Sequence, residues 1–216
     1  MHILIAGAES VRTTLDWAFM LMARHQDVQA KVQSEIESVV GHMRSVSARD
    51  RESLPYTYAV ICEVHRWAAI APINLPRCAS ADVTIDGTLV ARGTTVLVNF
   101  WSVNRDVNIW PEPEKFDPTR FYDANNKIDP IIRRKELSPF SIGRRDCVGR
   151  TLAELQLIAL FASVLQMFKV EPEDGVELSF EGFLGLSLVP KTKPTLKFTP
   201  RFDEDYEKNQ RVKQFD

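Results

Sequence analysis

The sequence predicts a mainly α protein with small β-sheets, an α+β fold. Three observations carry that prediction. Apolar residues recur at helical spacing in four long stretches, short β-branched runs flank turn residues between and after them, and prolines cluster where neither a helix nor an inner strand continues. With 216 residues the chain is long enough to bury a real core.

The first stretch runs from Ile3 to about Ala23, with Ile5, Trp17, Met20 and Leu21 on helical spacing and no Gly or Pro after Gly7, so a long, largely buried helix is expected. His25 to Val39 reads as a surface helix with one apolar stripe, Val28, Val32 and Ile36, ended by Gly41. After a polar break at Ser45 to Ser53, Pro55 opens a third helix, Tyr56 to Ile70, apolar on most sides and therefore buried. Beyond Pro72 the runs Val83–Ile85 and Thr94–Val98, with an Asp86-Gly87 turn, predict a small sheet. Trp110 to Phe121 carries three prolines and should wrap the surface as an extended segment pinned by its aromatics. Asp123 to Leu137 is polar, with a basic cluster at Arg133, Arg134 and Lys135. A fourth helix, Val148 to Phe168, precedes a β-like tail punctuated by Gly182, Gly185 and Pro190, and residues 201–216 read as a disordered tail after a single unit spanning 1–200.

The formal net charge is -2 with both signs interspersed, which argues against a nucleic-acid groove or a polybasic membrane arm. Three widely spaced cysteines without a C-x-x-C argue against a disulfide framework or a structural zinc site. No apolar run reaches the roughly 20 residues of a membrane span. The opening has no basic start or small-residue cleavage site, so a chain without an anchor or signal of its own, starting inside a fold, is expected.

Three constellations point to chemistry. Pro139 to Gly149 reads PFSIGRRDCVG, where Cys147 follows Arg144 and Arg145 and precedes a helix, surroundings that favour a thiolate. Gly143 and Gly149 allow sharp turns and close approach to a planar ligand, and Phe140 can shield the sulfur. A lone cysteine is more often filler than a ligand, and Cys62, Cys78 and a packed or surface His65 are taken in that bland sense. Glu63 and Arg66 share a helix face three residues apart; such a pair is usually solvated, but on a buried helix it must be fully satisfied. In Ala6-Gly7-Ala8-Glu9-Ser10 an acid adjoins a hydroxyl, types that relay protons. Gly7 costs the helix about 1 kcal/mol, explained by close approach of something flat or by a packing contact.

The spacing Phe140-x-x-Gly143-x-Arg145-x-Cys147-x-Gly149 resembles the haem-binding loop of the cytochrome P450 superfamily, the haem-thiolate monooxygenases. The resemblance implies that Cys147 is the axial ligand of the iron of haem b, favouring O–O cleavage, and that Arg145 and Arg77 reach haem propionates. Glu63-Val64-His65-Arg66 resembles the family's E-x-x-R, and Arg120 in Pro118-Thr119-Arg120-Phe121 would complete a structural Glu–Arg–Arg triad locking the cysteine loop. Ala6 to Ser10 resembles the oxygen-activation motif, in which Gly7 makes room for O2 while Glu9 and Ser10, standing where threonine is usual, deliver protons. Ile3 to Ala6, Ala69 to Leu75 and Phe183 to Leu188 match segments that line an apolar substrate pocket.

The resemblance implies a cytochrome P450 fold in its C-terminal portion, of the eukaryotic microsomal kind, inserting one oxygen atom from O2 into a hydrophobic small molecule. Its partners would be NADPH-cytochrome P450 reductase, with cytochrome b5 as an optional second donor, at the cytosolic face of the endoplasmic reticulum membrane for the full-length protein. The basic residues Arg133, Arg134, Lys135 and Arg144 are either a solvated face or docking ground for that donor. Family members are more than twice this length, so apolar surface meant for the missing half should be exposed. A peroxide-rearranging haem-thiolate isomerase and an inert fragment or interaction module remain the alternatives.

Overall fold

The computed structural model describes residues 2–121 and 137–202, with side chains from residue 6 onward. Helices α1 (His2–Arg24), α2 (Gln26–Val39), α3 (Pro55–Ala68) and α5 (Arg150–Met167) form one core, and the one-turn helix α4 (Phe100–Val103) and the short strands lie around it. Trp17, Met20, Leu21 and Met22 of α1 are fully buried, together with Val60 and Val64 of α3 and Ile158, Phe161 and Leu165 of α5. The third helix is buried on almost every side, as its pattern predicts: all its residues except Pro55 and Trp67 are inside. Turning Ala69 into the left-handed region, at φ 43°, ends it.

Polar side chains stitch these helices together in ways that no local pattern shows. Gln29 of α2 behaves as an extra strand residue: its amide donates to Val170 O at 2.8 Å and accepts from Val170 N at 2.8 Å. Gln33 donates to Phe168 O at 3.0 Å, so α2 covers the edge of strand β5 (Phe168–Pro172). Glu35 caps α3, its carboxylate accepting from Tyr56 N, Thr57 N and Thr57 Oγ1, each at 2.7 Å. A carboxylate there satisfies orphan amides and opposes the positive end of the helix dipole.

The β structure consists, among the described residues, of four separate two-stranded antiparallel ladders. β2 (Val83–Ile85) pairs with β3 (Thr88–Val90) across the predicted Asp86-Gly87 turn, where both residues have positive φ, 46° and 77°. The run Thr94–Val98 does not join that hairpin. Its centre, β4 (Thr95–Val96), pairs with β1 (Arg77–Cys78) instead, because the two-residue turn already supplies β2 with its partner and Arg77–Cys78 is the free edge nearby. β5 continues directly from α5 and pairs with β8 (Leu196–Pro200), while β6 (Gly182–Leu184) pairs with β7 (Leu188–Pro190).

Trp110, Phe116 and Phe121 are buried and pin the proline-rich segment as expected. Cys62 is buried filler, and burial pushes its thiol pKa up. Cys78 is not; it is exposed on the edge ladder β1–β4. The cysteine helix begins at Arg150 rather than Val148, since residues 143–145 form a short 3-10 turn first. Arg201 and Phe202, assigned to a free tail, are docked: Arg201 donates to Leu165 O and Gln166 O, and its guanidinium lies 5.3 Å from the Phe202 ring. The basic cluster 133–135 and residues 203–216 lie outside the described residues.

Candidate functional site

Arg66 and Glu63 are fully buried and bidentate, Nε donating to Oε2 at 2.7 Å and Nη2 to Oε1 at 2.8 Å. Arg66 spends its remaining N–H groups on the carbonyls of Asn104, Pro113 and Lys115 at 2.9, 2.8 and 3.1 Å. All five donors of the guanidinium are therefore used, the condition under which a buried pair is tolerated. Burial pushes the Glu63 carboxyl upward, while Arg66, the Asp117 amide at 2.8 Å and Arg120 pull it back. Arg120 stands with Nε 3.4 Å from Glu63 Oε1 and bonds the carbonyls of Pro111, Glu112 and Lys115. The three residues predicted to form a triad are thus brought together. Their backbone bonds, however, run to residues 104–117; among the described residues none runs to the cysteine loop.

A different contact links α3 to that loop. The His65 ring, from between Glu63 and Arg66, meets the Phe140 ring edge-on at 5.4 Å. His65 is buried with neither ring nitrogen hydrogen-bonded, and burial pushes its pKa down to about 4, so it is neutral at pH 7. Phe140 in turn lies 5.7 Å from the Arg150 guanidinium, and its carbonyl accepts the Cys147 amide at 2.9 Å, closing the loop.

The loop's other support comes from Arg77, whose Nη2 donates to Ser141 Oγ at 3.1 Å and Arg145 O at 2.9 Å. Asn74 Nδ2 reaches the same hydroxyl at 3.5 Å. Ser141 itself is in the left-handed region, φ 62°, a conformation that costs a serine about 1 kcal/mol and is held here by those bonds. Neither Ser141 nor Asn74 was legible as a loop support, since their partners lie some 65 residues away. Cys147 itself is exposed, and its neighbours Ile142, Val148 and Leu152 are 62, 88 and 57% exposed. Arg144 and Arg145 are exposed beside it.

On α1, a Cβ built on Gly7 meets nothing within 4 Å, so close helix packing is not what places glycine there. Ser10 Oγ donates back to Ala6 O at 2.7 Å. Glu9 turns away from it: Oε1 lies 3.5 Å from both Thr13 Oγ1 and Ser187 Oγ, and Oε2 lies 3.8 Å from Arg12. The predicted acid and hydroxyl are adjacent in sequence but bonded in different directions. Ser187 sits at the turn between β6 and β7, which is tied to α1 by Trp17 Nε1 to Leu188 O at 2.8 Å and to the loop after α3 by Leu188 N to Ile70 O at 2.7 Å. Two of the predicted pocket segments and the motif on α1 thereby meet; the side chains of Ile3 to Ile5 lie outside the described residues.

A sequence model of the cytochrome P450 family matches residues 1–198. The chain belongs to the cytochrome P450 family. It is 40% identical over 187 residues to cytochrome P450 2D20 of Mesocricetus auratus, 41% over 189 residues to cytochrome P450 2K6 of Danio rerio, and 42% over 176 residues to cytochrome P450 2W1 of Homo sapiens. These matches cover 86, 86 and 82% of this chain but only 37, 37 and 35% of the relatives. A solved zebra fish cytochrome P450, described with abiraterone, superposes with a TM-score of 0.84 at 33% identity, covering 94% of this chain and 46% of that one. The chain therefore spans a third to a half of the length of the P450 chains it matches, and its helix-rich architecture with small sheets is the P450 fold over that span.

The family's haem fits the residues present. The exposed Cys147 thiol would offer one soft donor to its iron, Arg77 and Arg145 put two cations at the same loop, and Gly7 leaves open space. A Cβ on Gly149 would stand 3.9 Å from Cys147 Sγ, in ordinary van der Waals contact with it. Among the described residues no cluster of three or more His, Cys, Asp or Glu side chains gathers.

Proposed function

We propose that this chain carries the thiolate side and the oxygen-activation helix of a haem-thiolate monooxygenase acting on an apolar organic substrate, with electrons from NADPH through a reductase. Haem b, when bound, supplies an iron centre that reduces O2 with two electrons and inserts one atom, so that RH, O2, NADPH and H+ give ROH, water and NADP+. The supporting observation is the closed, exposed cysteine loop: Cys147 N on Phe140 O, with Arg77 bonded across to Ser141 and Arg145 O.

In this proposal Cys147 holds the iron, and Phe140, backed by His65 and Arg150, keeps water from the sulfur. Arg145 and Arg77 pair with propionate carboxylates, Arg77 doing so while bracing the loop. Gly7 leaves room for O2 on α1, and Glu9 and Ser10 pass protons from water, Ser10 receiving a proton on a free lone pair while it turns its own O–H from Ala6 O to the acceptor. Glu63, Arg66 and Arg120 are structural, holding the 104–121 segment that covers α3. Exposed apolar side chains at Ile73, Leu75, Phe183 and Leu186 suit a hydrophobic substrate. Among the described residues no helix is long and apolar enough to cross a membrane, and residence at the endoplasmic reticulum, with cytochrome b5 as a second donor, is proposed for the full-length protein from its microsomal relatives.

The reduced carbon-monoxide difference spectrum of the haem-loaded protein tests the proposal. A red-shifted Soret band lost in Cys147→Ala is expected; absence of the band in the parent, or its survival in C147A, overturns the assignment.

A further inference from the structure

The Glu9 carboxylate is held by two hydroxyls that the oxygen-activation motif does not include. Thr13, one turn along α1, is fully buried, and Ser187, at the β6–β7 turn, is 8% exposed. Their oxygens are 3.2 Å apart, and Glu9 Oε1 accepts from both at 3.5 Å. These bonds are long for O–H···O contacts, so the carboxylate is steered rather than locked, and a small movement of the turn changes which hydroxyl serves it.

The turn also closes a stiff hairpin, β6–β7. Glu181 and Lys191 close its base with an ion pair at 2.7 Å and a backbone bond at 2.8 Å. Leu188 crosses so close to Gly182 that a Cβ there would lie 2.8 Å from Leu188 Cδ1. Trp17 and Ile70 grip Leu188 from two other elements. The same turn end of the hairpin is apolar and bare on its other side: Phe183, Leu184 and Leu186 are 61, 53 and 80% exposed. A stiff element that carries its exposed apolar side chains and the carboxylate contact at the same turn passes a displacement of Leu186 to Ser187 across one peptide bond.

Building on the monooxygenase reading above, we propose that Ser187 and Thr13 are positioning residues for Glu9, and that Ser187 ties the carboxylate to the hairpin tip so that proton supply responds to an apolar molecule seated there. An empty tip leaves the carboxylate in its loose three-centre arrangement; an occupied one shifts Ser187 and with it Glu9.

Two measurements test this. Thermal unfolding of the chain across the cycle Glu9→Gln, Ser187→Ala and the double variant reports the contact without haem or turnover. Non-additive shifts in Tm are expected, and additive shifts overturn the contact. In the haem-loaded, reductase-coupled protein, S187A should lower product formed per NADPH consumed at least threefold. The missing electrons should appear as hydrogen peroxide (O2, NADPH and H+ giving H2O2 and NADP+), while the spectral dissociation constant for an apolar ligand stays within twofold. Ser187→Thr, which keeps the hydroxyl, should restore coupling, and T13V should resemble S187A. Unchanged coupling in S187A, or a loss matched by weaker ligand binding, overturns the inference while leaving the monooxygenase assignment standing. A parent protein without the thiolate carbon-monoxide band overturns both.

Discussion

Replacing Arg66 by lysine keeps the charge and removes the geometry. Arg66 places five N–H groups on five acceptors, two carboxylate oxygens of Glu63 and the carbonyls of Asn104, Pro113 and Lys115, in an environment with no exposed side-chain surface. A lysine ammonium has three donors radiating from one atom. Even in its best placement it leaves two of these buried acceptors unpaired, each costing about 1–3 kcal/mol, so R66K should lose about 2–6 kcal/mol. Arg120 is the internal control. Its side chain is 11% exposed, its ion pair with Glu63 is 3.4 Å long, and water can replace a lost donor, so R120K should lose about 1–2 kcal/mol. Urea denaturation followed by tryptophan fluorescence reads both, since the Trp110 ring lies 5.7 Å from the Arg66 guanidinium. An R66K variant within about 1 kcal/mol of the parent, or one no worse than R120K, would refute the claim that the fork geometry rather than the charge holds the segment.

Three further outcomes are expected. Gly7→Ala should stabilise the haem-free chain by about 0.5–1 kcal/mol, because the added methyl meets nothing within 4 Å and alanine is the better helix former; a destabilised G7A in the same urea titration would mean that the space is not free. Glu35→Ala should cost about 1–2 kcal/mol by removing three 2.7 Å bonds to the start of α3, with E35Q intermediate, measured by thermal melts at neutral pH. Burial holds the His65 pKa near 4 in the folded chain against 6.5 unfolded, so the unfolded state binds the extra proton between those values. Stability is therefore complete above about pH 6.5 and falls by up to about 3 kcal/mol as pH drops to about 4, and His65→Leu should flatten that limb of a pH-dependent urea series; an unchanged slope would refute it.

Helix existence and type were legible because spacing alone decides which residues share a face. The three-residue spacing of Glu63 and Arg66 made them neighbours before any packing was known, and Asp86-Gly87 announced a turn that needs two positive φ angles. The site was legible for the same reason wherever it is local: Phe140 to Gly149 is one loop, and Ala6 to Ser10 is one and a half turns of α1. What local chemistry suggested wrongly was the company each residue keeps. Cys78 looked like filler but lies on an exposed two-stranded edge, Thr95–Val96 paired away from the nearest hairpin, and Glu9 turned from its neighbour Ser10 towards Thr13 and Ser187.

The sequence by itself therefore determined the long helices, the Asp86-Gly87 turn and the family resemblance, since each depends on residues within about ten positions of one another. Only the tertiary structure decided what supports them. Arg77 bracing Ser141 and Arg145, Glu35 capping α3, Gln29 imitating a strand against Val170, His65 facing Phe140 and Ser187 steering Glu9 join residues between 21 and 178 positions apart. Such contacts exist because burying the apolar faces of α1, α3 and α5 brings these polar groups within reach of one another, where each must find a partner or bear the cost of lacking one. Helical periodicity specifies which face is buried; it does not specify which distant group that face will meet.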